Sequence, residues 1–128
     1  MAELETLSNI FEEELDWIPP RPESVVVCSR CSHVLADAAD THEIQGAIEH
    51  EFVNPFGVVH HFRCYRHALG CSTRGTAHHA DTWFPGYRWK MATCGNCEDH
   101  LGWLFASGDS FFGLLVAKIV TQKLDRSG

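Results

Sequence analysis

The chain has 128 residues, 21% charged and 45% hydrophobic, a composition ordinary for one soluble globular domain; it excludes a disordered or fibrous protein and leaves no room for two comfortable cores. The net charge of −7 is concentrated at the start, where residues 1–20 hold Glu3, Glu5, Glu12, Glu13, Glu14 and Asp16 without Lys or Arg, so that the remaining 11 acids nearly balance 10 bases. No basic stripe is left for phosphates, so no nucleic acid is expected as partner, and with no apolar run near the roughly 20 residues that span a bilayer and no signal-peptide pattern, no membrane is expected either. The chain reads as soluble and cytoplasmic.

Leu4, Leu7, Ile10, Phe11, Leu15 and Ile18 recur near helical spacing until Pro19, Pro20 and Pro22 end the pattern. Residues 1–22 are therefore expected as an acidic arm or short helix, followed by a folded domain over 23–118 and a tail over 119–128. Val25–Cys28 is β-branched and reads as a strand. Residues 36–50 fit a loop or a helical turn equally well. Phe52-Val53 and Val58–Phe62 flank Asn54-Pro55-Phe56-Gly57, and turn residues between two strand-forming runs predict a hairpin. Residues 70–82 are rich in Gly, Ser and Thr and read as a long polar loop. In Trp83-Phe84-Pro85-Gly86-Tyr87-Arg88-Trp89 a Pro-Gly turn brings two indoles to one side. Strand alternation then places Leu101, Trp103 and Phe105 on one face. Phe111–Val116 reads as the last strand, and Ala117–Leu124 as a short terminal helix or tail.

Two Cys-x-x-Cys pairs, Cys28/Cys31 and Cys94/Cys97, are separated by the 62 residues from 32 to 93. Each spacing lets a tight turn aim two sulfurs at one ion, and two such turns complete the tetrahedron that Zn²⁺ prefers. Gly95 suits a knuckle that needs an unusual φ. Redox pairs or disulfides are the alternatives. Four thiolates leave no open position for water, so one structural zinc is expected. Cys64 and Cys71 read as small core residues, with a redox pair flanked by Arg63, Arg66 and His67 as the alternative. His60-His61 and His78-His79 read as solvated, the alternative being adventitious metal binding.

Trp83, Trp89 and Trp103 fall within 21 positions and flank the second knuckle. They read either as core aromatics or as the walls of a pocket. Three indole N–H groups close together need partners, and Gly86 and Gly102 beside them offer backbone to a ligand, which favours a cage for a compact ring or a quaternary amine.

The string Asp81-Thr-Trp-Phe-Pro-Gly-Tyr-Arg-Trp89, the following Cys-x-x-Cys and His100-Leu-Gly-Trp-Leu-Phe105, with the upstream Cys-x-x-Cys and Asn54-Pro55-Phe56-Gly57, resembles the thalidomide-binding (CULT) domain of the cereblon family from Val25 to Leu115. The resemblance implies a mainly β fold, a β-tent of two antiparallel sheets at a large angle pinned by a Cys₄ zinc. It implies a pocket for cyclic imides: glutarimide, succinimide, thalidomide-type ligands, uracil-like rings and the C-terminal cyclic imides of damaged proteins. Trp83, Trp89 and Trp103 would be its walls and Phe105 its closure. The backbone at Asp81 and Trp83 would pair with the imide, and Asn54 and Pro55 would line the rim. Asp81 departs from the histidine of cereblon, and its carboxylate is expected to repel acidic ligands and favour cationic ones. Cereblon's Lon-like and helical regions do not fit in 128 residues, so the ligase role is not carried over and a free-standing binding domain, a monomer, is expected.

A non-catalytic binder is thus the leading expectation. A methionine-R-sulfoxide reductase on a similar zinc-pinned fold, and an aromatic-cage reader of methylated amines, are the alternatives.

Overall fold

A computed structural model describes residues 21–125. The expected acidic arm or short helix, with Trp17 and the acidic cluster, lies outside these residues except for positions 21 and 22. Among the described residues nine strands form two antiparallel sheets, as the mainly β expectation requires. The first sheet has the order β2-β1-β9, with β1 Ser24–Cys28, β2 Val34–Asp37 and β9 Ile119–Lys123. The second has the order β3-β4-β8-β7-β6-β5, with β3 Glu49–Val53, β4 Val59–Tyr65, β5 Cys71–Thr73, β6 Arg88–Cys94, β7 His100–Ala106 and β8 Ser110–Leu115. No helix among the described residues is long and apolar enough to cross a membrane.

The hairpin predicted around Asn54 is β3-β4, paired from Glu49↔Arg63 to Val53↔Val59. Gly57 takes φ 82° at its tip, a conformation that costs glycine nothing. Pro85 and Gly86 occupy the two central positions of a turn closed by Tyr87 N–H to Phe84 C=O at 2.9 Å, and Gly86 at φ 90° makes it type II. Residues 36–50 are neither a plain loop nor a helical turn. They finish β2, bridge at Thr41↔Tyr65, and make a tight turn at Ile44–Ala47 through positive φ at Gln45 and Gly46.

Two expectations fail here. Residues 119–123 are not tail or helix but β9, paired with β1 over Ser24↔Lys123 to Cys28↔Ile119, so Phe111–Val116 is not the last strand and the fold continues past residue 118. The polar loop over 70–82 contains β5, which pairs with β6 at Cys71↔Cys94. Both strands lie at sheet edges, where one face and one edge meet water and few apolar residues are required.

The core has two parts. Val26, Leu35, Tyr65, Ala68, Leu101 and Leu114 form one around Cys28 and Cys94. Phe62, Cys64, Phe84, Trp103, Phe105 and Phe111 form the other, with Trp83, Tyr87 and Trp89 packed against it. Leu101 serves the first and Trp103 and Phe105 the second, so one strand, β7, ties the metal end of the molecule to the aromatic end.

Candidate functional site

The four knuckle cysteines converge. Their sulfurs lie within 4.8 Å of one another, with Cys28 Sγ 3.7 Å from Cys97 Sγ and Cys31 Sγ 3.6 Å from Cys94 Sγ. A tetrahedron with metal–sulfur bonds of about 2.3 Å has edges of about 3.8 Å, so the donor set fits a four-thiolate metal. The two knuckles are built alike. Ser32 N–H bonds Cys28 C=O at 2.8 Å and Glu98 N–H bonds Cys94 C=O at 2.9 Å, while Cys28 N–H bonds His33 C=O at 2.9 Å and Cys94 N–H bonds Asp99 C=O at 2.8 Å. The residue after each second cysteine carries the positive φ, 64° at Ser32 and 66° at Glu98. The reason expected for Gly95 is therefore wrong. Gly95 donates to Gly70 C=O at 2.9 Å, and a Cβ at Gly95 would stand 2.7 Å from that oxygen. Its missing side chain admits the neighbouring turn. Since Cys28 ends β1 and Cys94 ends β6, a metal here joins the two sheets.

A cavity of about 270 Å³ opens at the aromatic end. Its lining holds every residue proposed for the cage: Trp83, Trp89, Trp103 and Phe105, with Asp81, Asn54 and Pro55. These come from four segments, namely the β3-β4 tip, the loop before β6, the start of β6, and β7. Phe84 anchors the loop. It is fully buried, edge-on to Phe105 at 4.9 Å and to Phe111 at 5.3 Å, which frees its neighbour Trp83 to face the cavity. Trp83 stacks on Phe52 with centroids 5.5 Å apart and planes 8° apart, and meets Trp103 edge-on at 4.9 Å and 83°. Two walls of the cavity thus stand at right angles.

The indole N–H groups are treated unequally. Trp83 Nε1 donates to Val53 C=O at 3.3 Å and Trp89 Nε1 to Ala80 C=O at 2.7 Å. Trp103 Nε1 finds no acceptor among the described residues, yet no buried side-chain nitrogen or oxygen there is left unpartnered, so this N–H remains reachable from outside the protein. Core packing and pocket walls prove not to be exclusive, since Trp103 is 9% exposed, belongs to the aromatic core and lines the cavity.

Sequence reasoning missed three contributors. Phe56, 91% exposed at the hairpin tip, lines the mouth. His60, read as solvated, lines the wall edge-on to Trp103 at 5.1 Å. The signal was present: His60, Phe62 and Cys64 alternate on the inward face of β4, whereas His61 faces out to Glu49 at 3.3 Å. His78, also read as solvated, brackets Trp89 through two backbone bonds of 2.8 and 2.9 Å and sets its ring 5.0 Å from the indole. Gly102 does not present backbone to a ligand. It is buried against β8, where a Cβ would overlap Gly113 C=O.

Cys64 is fully buried in the aromatic core, and burial pushes its thiol up to about 12. Burial, with the neighbouring Cys94 and Cys28, pushes Cys71 up to about 12 as well. Arg63, Arg66 and His67 do not activate either thiol. Arg63 binds Glu49 at 3.0 Å and His67 binds Asp40 at 2.8 Å.

Known relatives decide the family. The chain is 32% identical over 105 residues to protein cereblon of Drosophila yakuba, 30% over 115 residues to that of Drosophila willistoni, and 31% over 90 residues to that of Drosophila melanogaster. This chain carries a cereblon-like domain. The matches cover 73%, 81% and 66% of the chain but 18%, 18% and 14% of those relatives, so the cereblon-like domain corresponds to less than a fifth of their length. No protein-family model matches the chain.

Proposed function

We propose that this cereblon-like domain binds a small cyclic imide, or a ring with the same donor and acceptor pattern, in the tryptophan cavity and does not transform it. The observation that carries the reading is the convergence of four chain segments on one small aromatic cavity, beside an unengaged indole N–H. At about 270 Å³ it lies below the roughly 300–1,000 Å³ of pockets for drug-sized ligands, which suits a single ring. An imide offers one donor flanked by two acceptors. The backbone at Asp81 and Trp83 would answer the imide N–H and one carbonyl, and Trp103 Nε1 is a free donor for an acceptor. A lactam lacking one carbonyl would leave a buried donor unpaired and bind less well. Micromolar affinity, about 8 kcal/mol, is within reach of so few atoms. The part of the ligand outside the ring, such as the chain of a protein ending in a cyclic imide, would leave past Asn54, Pro55 and Phe56.

Zinc is the proposed metal, held by Cys28, Cys31, Cys94 and Cys97, because an all-thiolate tetrahedron suits it and closes its shell. It would brace the sheets rather than touch the ligand. A sulfoxide reductase needs an exposed, low-pKa thiol, and the burial of Cys64 speaks against one.

Titration of tryptophan fluorescence with glutarimide, succinimide, uracil and trimethyl-lysine tests the reading. Saturable change with the imides supports it. A folded, zinc-loaded protein that responds to no imide overturns it.

A further inference from the structure

Asp81 is the one carboxylate or fixed charge among the residues lining the cavity. It is exposed and sits in the left-handed region at φ 57°, which aspartate tolerates better than most residues. The chain on both sides holds it there. Ala80 C=O accepts the Trp89 indole, and the Thr82 hydroxyl bonds Phe84 C=O at 3.3 Å. No hydrogen bond or ion pair engages the Asp81 carboxylate among the described residues, whereas Asp37, Asp40, Asp99 and Asp109 each have a partner. No Lys or Arg lines the cavity. Indole faces carry the negative part of the ring quadrupole, so a cation that meets one beside Asp81 is attracted by both, while the Trp103 N–H edge remains a donor for an acceptor.

A neutral imide makes no use of such a field. Resting on the cyclic-imide reading above, we infer that Asp81 sets the charge preference of the cavity, and that the preferred ligands are imide-type rings bearing a cationic substituent next to the ring. An anionic substituent finds the Asp81 carboxylate and no compensating cation. A cationic one finds that carboxylate and the aromatic faces together.

Four probes in two shape-matched pairs test this at pH 7.5: 3-trimethylammonio-glutarimide against 3-tert-butyl-glutarimide, and glutarimide-3-carboxamide against glutarimide-3-carboxylate. The cation is expected to bind roughly three- to tenfold tighter than its tert-butyl isostere, the range of a partly exposed charge pair with some cation–π contribution. The carboxylate should bind more weakly than the carboxamide. Both ratios should move toward one in Asp81→Asn, whose amide keeps the left-handed backbone, and both should shrink in the wild type as salt is raised, because exposed charges are screened. Ratios that are equal in wild type and Asp81→Asn overturn the inference. If the variant does not fold, the wild type decides: a cation preference that is absent, or does not respond to salt, overturns it. Absence of binding by plain glutarimide would instead overturn the imide reading itself, so the two failures are distinct.

Discussion

Gly102 of β7 sits diagonally from Gly113 of β8, with Leu114 as its register partner, and so close that a Cβ on Gly102 would overlap the Gly113 carbonyl oxygen. A Cβ on Gly113 would in turn stand 2.6 Å from the Phe62 ring. Two absent side chains thus let the strand bearing Trp103 lie flat on the aromatic core. Gly102→Ala should cost at least the 1–3 kcal/mol or so typical of overpacking, and should weaken ring binding by displacing Trp103. Gly108→Ala, with nothing within 4 Å of the added methyl, should change stability by less than about 0.5 kcal/mol. Thermal melts of the two variants check the contrast, and equal melting temperatures would refute it.

The two knuckles sit where the sheets meet. Cys28 closes a strand of the three-stranded sheet and Cys94 a strand of the six-stranded one, so loss of a bound ion would leave four thiols at the junction, with the apolar cluster around Cys28 and Cys94 as the remaining link there. Structural zinc contributes on the order of 10–16 kcal/mol, comparable to the stability of a whole domain. The native protein should contain one zinc per chain by elemental analysis, and a chelator, Cys28→Ser or Cys94→Ser should each abolish the cooperative melt. A metal-free protein that melts as before would show that the cluster is dispensable.

The parts of this fold legible in the sequence are those fixed by local chemistry. Cysteine spacing named the knuckles, Asn-Pro-x-Gly named the hairpin, and Pro-Gly named the turn before Trp89. What escaped depends on partners distant in the chain. β9 is mostly exposed and is a strand because β1 lies beside it, although Ile119, Val120 and Thr121 carry the β-branched signal. Gly95 and Gly102 are glycines because of Gly70 and Gly113, which no local pattern reveals. His60 and His78 were hidden in doublets read as solvated throughout, whereas His60 lies on the inward side of β4 and His78 bridges Trp89 across the sequence.

Thiol reactivity separates binder from redox enzyme. With Cys64 fully buried and its thiol pushed up to about 12, iodoacetamide at pH 8 should leave it unmodified in the folded, zinc-loaded protein and label it on unfolding, as read by peptide mass spectrometry. Rapid labelling of Cys64 in the native state would restore the case for thiol chemistry.

His100 donates from Nε2 to Gly102 C=O at 2.9 Å and lies edge-on to Trp103 at 5.2 Å. Its burial is the main cause that lowers its pKa below the ordinary 6.5. The unfolded chain therefore takes up this proton first as pH falls. The stability contributed by neutral His100 is complete above about pH 7 and is lost as pH drops through 6.5 toward the lower folded value. His100→Gln, which keeps a donor for Gly102, should flatten the fall in melting temperature between about pH 7 and 5.5. Parallel pH profiles for the two proteins would exclude His100 as the cause.

Asn54 governs the rim of the cavity through one side chain. Its Oδ1 accepts from the backbone N–H of Phe56 at 3.0 Å and of Val58 at 2.9 Å, and backbone N–H groups can only donate, so the amide orientation is settled. The NH₂ then faces His60 Nε2 at 3.2 Å, which must accept, and the imidazole proton rests on Nδ1. Nitrogen-15 shifts of His60 should report that tautomer. Asn54→Asp keeps both backbone contacts but loses the donor to His60, whereas Asn54→Ala loses all three. With about 0.5–1.5 kcal/mol per hydrogen bond, the alanine variant should be less stable than the aspartate variant by about 1–3 kcal/mol, and its loosened Pro55-Phe56 tip should weaken ring binding. Equal stabilities would mean that Oδ1 does not hold the tip, and an Nε2–H signal for His60 would mean that the amide does not face it.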